Sequence, residues 1–137
     1  MSGYLLVRVG STRYGVRLTD VIEVAATAGL TPVPAVHRAV RGVVEVRQRL
    51  VPLVNLPALL SDVEPAARPS ETCIVATCAG RPVALEVDEI DALVRQDPEK
   101  VPPGWRLPWA AAVARHDSQL IPVLDSDVLA SRLAGAQ

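Results

Sequence analysis

Between Gly42 and Leu60 the chain alternates. Val44, Val46 and Gln48 fall on one side, Val43, Glu45 and Arg47 on the other, and an aliphatic run from Leu50 to Val54 follows a polar corner at Gln48-Arg49. A period of two interrupted by a short polar corner predicts strand, tight turn, strand, hence two antiparallel strands. Pro52 cannot donate to a ladder, so its nitrogen is expected at an edge or bulge and its strand at the margin of the sheet. Asn55 then offers a helix N-cap, with Pro57 near the first turn and Ala58, Leu59 and Leu60 to pack back on the hairpin.

Upstream, Tyr4 to Val9 is apolar on both faces until Arg8, which predicts a buried strand. Gly10 to Arg13 reads as a turn, and Tyr14-Gly15-Val16 opens a second strand. From Leu18 to Val24 an extended chain puts Val21 and Glu23 on one face and Ile22 and Val24 on the other. Glu23 is either a solvated strand residue or faces Arg47 across neighbouring strands, a pairing that contributes roughly 0.2–1 kcal/mol. Ala25 to Pro34 is a turn-rich connection, and Val36 to Val40 is expected to make one helical turn.

Ser61 to Ser70 has no periodicity and reads as a linker between approximate halves, 1–62 and 71–137, of one domain spanning 1–137. The second half restarts the plan of the first: Thr72 to Thr77 a buried strand, Ala79 to Pro82 a turn, Val83 to Val87 a strand. In that last strand Val83, Leu85 and Val87 are expected inward, and Ala84, Glu86 and Asp88 outward. Glu86, Asp88, Glu89 and Asp91 invite a metal-site reading, but acidic residues alternating along an extended chain are how a half-buried strand normally looks. Asp91 to Val94 continues extended, Asp97 to Glu99 turns, and Val101 to Pro108 is an ordered loop. Trp105 and Trp109 either anchor that loop or offer an aromatic contact to a partner. Trp109 to Ala114 and Ser118 to Leu124 are expected strands, with Arg115 to Asp117 the turn. A C-terminal helix follows, capped by Asp125 or Ser126, with Val128, Leu129 and Leu133 as its apolar stripe.

Composition narrows the class. Half of the 137 residues are hydrophobic but there is no Phe, so the core must be built from Val, Leu, Ile and Ala, which leans to a mainly β fold. Fourteen basic against 15 acidic residues, without long runs of one sign, ask for no nucleic acid. The longest uncharged apolar stretch, Val24 to Val36, contains Pro32 and Pro34 and is too short to span a bilayer, and the start carries no signal-peptide pattern, so a cytoplasmic protein is expected. Cys73 and Cys78 lie five apart in one strand and point to opposite faces, as small buried hydrophobes rather than a disulfide or metal pair. His37 and His116 stand alone beside turns, and no phosphate loop or serine elbow appears. The pattern suits a binding module with no cofactor and no metal better than an enzyme.

The central hairpin carries a resemblance. Gly42, Val43, Val44, Arg47, Val51, Pro52, Val54 and Leu56 stand where the signature hairpin of the CheW-like family, the adaptors of bacterial chemosensory arrays, has the same residue types. Glu45 replaces that family's Asn, Gln48 its turn Gly, and Asn55 its Asp. Asn caps a helix about as well as Asp, whereas a Gln side chain resists the positive φ a turn Gly serves. Tyr14-Gly15-Val16 is similar to the family's opening, Val87-Asp88-Glu89-Ile90 to a later motif, and Ala111 stands in place of a Gly, so the resemblance runs from about Tyr4 to Leu133. It implies two small SH3-like five-stranded β-barrel subdomains packed together, with short helices including a C-terminal one. It also implies a non-catalytic adaptor that couples the cytoplasmic tip of a chemoreceptor to the regulatory domain of a histidine kinase, without membrane insertion of its own. Val21, Glu23, Val24 and Arg47 would then form the receptor-binding groove, and Glu45, Gln48 and Arg49 are candidate kinase-side or turn contacts. The altered turn leaves a second reading, a divergent paralogue that binds one of the two partners or serves a non-flagellar pathway.

Overall fold

Short Val- and Leu-rich runs separated by two-residue turns fold as the alternation requires. The computed structural model describes residues 2–34 and 37–134. Its first half contains β1 (Tyr4–Val9), β2 (Thr12–Arg17), β3 (Val21–Ala26), β4 (Val40–Val46), β5 (Arg49–Val54) and α1 (Leu56–Ser61). Its second contains β6 (Thr72–Cys78), β7 (Arg81–Val87), β8 (Glu89–Val94), β9 (Ala110–His116), β10 (Gln119–Leu124) and α2 (Ser126–Leu133). Each half is thus three strands, a long connection, a hairpin and a capped helix. The expected helical turn before Gly42 begins at Val36, outside the described residues, and His37 to Ala39 forms a hydrogen-bonded turn in which the Val40 amide donates to the His37 carbonyl at 3.0 Å.

The strands sort into two five-stranded sheets, barrel A in the order β8-β1-β2-β10-β9 and barrel B in the order β3-β6-β7-β5-β4. Each barrel takes strands from both sides of the 62–70 connection: β3 and the β4–β5 hairpin join β6 and β7, while β8 and the β9–β10 hairpin join β1 and β2. Just beyond β3, Thr31 bridges to Val43 of β4, and just beyond β8, Glu99 bridges to Val113 of β9, so the ends of each sheet meet. Arg49-Leu50-Val51-Pro52-Leu53-Val54-Asn55 and Gln119-Leu120-Ile121-Pro122-Val123-Leu124-Asp125 occupy equivalent places, an internal repeat plain in the sequence.

Two expectations about the central hairpin change. β5 is not marginal, because it lies between β4 and β7. Its proline is accommodated another way. Both backbone groups of Val43, opposite Pro52, bond to Thr31, so the Pro52 nitrogen points away from β4, toward a β7 ladder that begins only at Leu53. The turn itself is Arg47-Gln48, one residue earlier than the polar corner suggested, with φ of 51° and 65°. Gln48 therefore takes the left-handed conformation that its side chain disfavours, and the two-residue hairpin is kept.

Asn55 caps α1, its side chain accepting from the Ala58 amide at 3.0 Å, and Asp125 caps α2 through the amides of Asp127 and Val128. The helices seat Leu56, Leu59 and Leu129 on a core that also holds Leu5, Val7, Val16, Ile74 and Leu85 from both barrels. Separate interiors fill barrel B, with Val44, Leu53, Cys73 and Ala84, and barrel A, with Leu6, Ala114 and Val123. Trp109 is buried against Tyr14, ring centroids 5.8 Å apart, so it anchors the loop before β9, whereas Trp105 is half-buried.

Candidate functional site

One rim of barrel B brings together most of the residues singled out by sequence. β3 has a bulge between Val21 and Glu23, a device that re-aims side chains. Val21 packs against the inter-barrel core, and Glu23 turns to the half-covered side. Its Oε2 accepts from Nε of Arg47 at 2.6 Å. Contrary to the expectation from sequence, the two residues do not sit on neighbouring strands of the ladder; β3 and β4 are the two outer strands of the sheet, and Arg47 sits in the turn after β4. The pair therefore spans the closure of the barrel. On the outward side Ile22 and Val24 stay about half exposed, 52% and 49%. A cleft of about 70 Å3 lies among Ile22, Glu23, Arg47, Arg49, Val51 and Pro82.

Beyond the hairpin tip, a groove of about 750 Å3 has Leu50, Pro52, Val83 and Leu133 along it and Arg49 and Arg81 on its flanks. Leu50 is 71% exposed, opposite the exposed Glu45. Gln48 and Arg49 are also exposed. Ile22 and Leu50 were not among the residues picked from sequence, although alternation placed Ile22 opposite Glu23; periodicity separates the faces of a strand without saying which one remains uncovered.

The acidic quartet disperses. Glu86 is 1% exposed rather than outward: β7 lies inside its sheet and is covered on both faces, and the carboxylate pairs with Nε of Arg41 and accepts from the amide of Ser70. Asp88 accepts from the Ser70 hydroxyl at 2.5 Å and the Gly10 amide at 2.6 Å, bonds that, with Arg8 nearby, hold its carboxyl below the usual range. Glu89 pairs with Arg8 and Asp91 with Arg13. Among the described residues no three His, Cys, Asp or Glu side chains converge as metal ligands.

Nor is a nucleophile prepared. Cys73 and Cys78 are free and buried in different cores, on opposite faces of β6, and burial pushes the Cys78 thiol up to about 12, leaving it protonated. His37 accepts from the Ala39 amide within its own turn, and His116 lies 3.5 Å from Asp117 at the end of β9. No helix is long and apolar enough to cross a membrane among the described residues. What the rim offers is an ion pair beside exposed aliphatic side chains.

A search of curated protein sequences gives no match. In structure the chain is similar to the scaffolding protein TtCheW from Thermoanaerobacter tengcongensis, with a TM-score of 0.78 at 19% identity, covering 93% of this chain and 86% of that one. Residues 3–134 match the family model for the CheW-like domain, and the chain therefore belongs to the CheW-like family.

Proposed function

We propose that the protein is a non-catalytic adaptor of a chemosensory signalling complex. It couples the cytoplasmic tip of a chemoreceptor to the regulatory domain of a histidine kinase, from the cytoplasm and without membrane insertion of its own. Its family and its likeness in fold to a scaffolding protein support this reading. The observation that carries it is the Glu23–Arg47 pair, which holds the closing rim of barrel B beside the exposed Ile22 and Val24. Val21, Glu23, Val24 and Arg47 form the receptor face in this proposal, the ion pair setting orientation and the aliphatic residues supplying buried area.

The test is a calorimetric or NMR titration of the purified protein against a receptor-tip fragment and, separately, a kinase regulatory domain from the same genome. Both are expected to bind. Arg47→Ala is expected to weaken the receptor interaction at least about tenfold, the scale of one anchoring residue, and to leave kinase binding unchanged. Binding to neither partner would overturn the function while leaving the fold intact.

A second reading rests on the hairpin tip, where Glu45, Gln48 and Arg49 are exposed together and Gln48 stands in a positive-φ position. If these are kinase-side contacts, the chain is a divergent paralogue that has kept one partner or serves a non-flagellar pathway. Gln48→Gly should then raise kinase binding in a pull-down; unchanged capture counts against it.

A further inference from the structure

The two hairpins that cross between the halves are nearly interchangeable. Arg49 to Asn55 and Gln119 to Asp125 repeat the same pattern, and each docks by a parallel ladder, Leu53 beside Ala84 and Val54 beside Leu85 in barrel B, Val123 beside Gly15 in barrel A. The connections that deliver them, residues 27–39 and 95–109, contain no strand among their described residues. Thirteen extended residues reach about 45 Å, so the connections alone do not dictate which sheet a hairpin joins. Something must distinguish β7 from β2 as the docking strand.

One difference stands out along those ladders. Arg41 is the extra residue of a bulge between Val40 and Gly42, and the bulge turns it across β5 to Glu86 of β7. The hairpin of barrel A has a bulge at the same place, but its extra residue is Ala111. The position of Glu86 in β7 is taken in β2 by Arg17, two residues beyond the docking residue in each case. The Arg41 and Glu86 side chains are only 10% and 2% exposed, yet Nη2 of Arg41 has no hydrogen-bond partner among the described residues. An incompletely satisfied buried pair is a poor way to gain stability and a good way to reject wrong partners.

We propose that the Arg41–Glu86 pair selects which hairpin joins which barrel. Docking of β4–β5 on β2 brings Arg41 against Arg17, like charge on like charge, and leaves Glu86 facing Ala111, a buried carboxylate without its cation. The correct exchange is the one arrangement that satisfies both. Ser70 reinforces it from the connection between halves by bonding the second oxygen of Glu86, while its carbonyl accepts from Thr27 at 2.5 Å at the end of β3. The base of barrel B is thereby tied to both halves of the chain.

The experiment follows interstrand NMR contacts in the full chain after unfolding in denaturant and refolding. Wild type should show contacts of Leu53 with Ala84 and of Val123 with Gly15, in one set of resonances. Arg41→Leu/Glu86→Leu removes the discrimination and should add a second set, above about a tenth of the intensity, with Leu53 near Gly15 and Val123 near Ala84. Arg17→Glu keeps the native pair, so folding is not at risk, but offers Arg41 a false partner and should produce the same second set. Mispaired contacts in either variant support the proposal. Native contacts alone in both, or native contacts alone in Arg17→Glu while the double variant fails to fold, overturn it.

Discussion

Barrels A and B are built on one backbone plan and differ in where they place charge. Both close through a residue just beyond the third strand of a half, Thr31 or Glu99, both turn their hairpins on two residues of positive φ, Arg47-Gln48 or Asp117-Ser118, and both hold a proline at the same point of the docked strand. Barrel B has an ion pair at each end, Glu23–Arg47 at the open rim and Glu86–Arg41 at the buried base. At the equivalent positions barrel A has Ala92 and Asp117, and Arg17 and Ala111. A shared plan fixes positions, and the side chains at those positions give the two barrels different surfaces.

The largest expected effect comes from breaking the base. Arg41→Ala leaves Glu86 buried without its cation and should lower unfolding stability by about 3–5 kcal/mol, whereas Arg17→Ala in barrel A should change it by less than about 0.5 kcal/mol. Urea unfolding of the two variants measures the contrast. Equal losses would mean that the Arg41–Glu86 pair carries no more stability than the unpaired position in barrel A.

A smaller effect separates the two crossover aspartates. Asp88, after β7, has its carboxyl held low by the Ser70 hydroxyl, the Gly10 amide and Arg8. Asp20, before β3, has its carboxyl raised, by burial first, opposed by the Ser126 hydroxyl and Arg17 and helped by Asp127 and Asp125. The signs are opposite. A lowered folded pKa contributes stability that is present above the unfolded value, about 3.9, and disappears as pH falls through the folded one. A raised folded pKa contributes below the unfolded value and is lost as pH rises through the folded one. Asp88→Asn should therefore flatten the loss of stability on acidification below about pH 4, whereas Asp20→Asn should remove a gain of stability on acidification that falls above about pH 4. Denaturant midpoints between pH 3 and 6 test both, and identical slopes in the two variants would remove the distinction.

The smallest effect on stability belongs to the rim. Arg47 is 78% exposed, so loss of its pair with Glu23 should change stability by only about 0.2–1 kcal/mol, against the much larger loss of receptor binding expected of the same variant. Building the pair into barrel A, with Ala92→Glu and Asp117→Arg, should return a gain no larger than that. A thermal midpoint lowered in Arg47→Ala as far as in Arg41→Ala would show that the rim is structural.

Much of this was legible in the residues. Alternation located most strands to within a residue or two, though it began β3 three residues early at Leu18 and ran β7 on into β8; Asn55 announced the first helix cap, Asp125 was one of two candidates for the second, and the opposite faces of Cys73 and Cys78 followed from their spacing. Glu86 was misjudged because a period of two assumes one wet face, and β7 has none. The Glu23–Arg47 pair was visible as chemistry and wrong as geometry, since it joins the outer strands of a closed sheet rather than ladder neighbours.

The sequence by itself determined most of the local units: the runs that form short strands, the two capped helices and the charges each unit carries. Those depend on interactions between residues a few positions apart, which the order of side chains specifies directly. The exchange of hairpins between halves, the bulge that sends Arg41 across β5, and the burial of Glu86 were decided only by the tertiary structure. They depend on which surfaces meet after residues about 30 or more positions apart have come together, and two hairpins with nearly the same pattern carry no local signal for choosing between barrels.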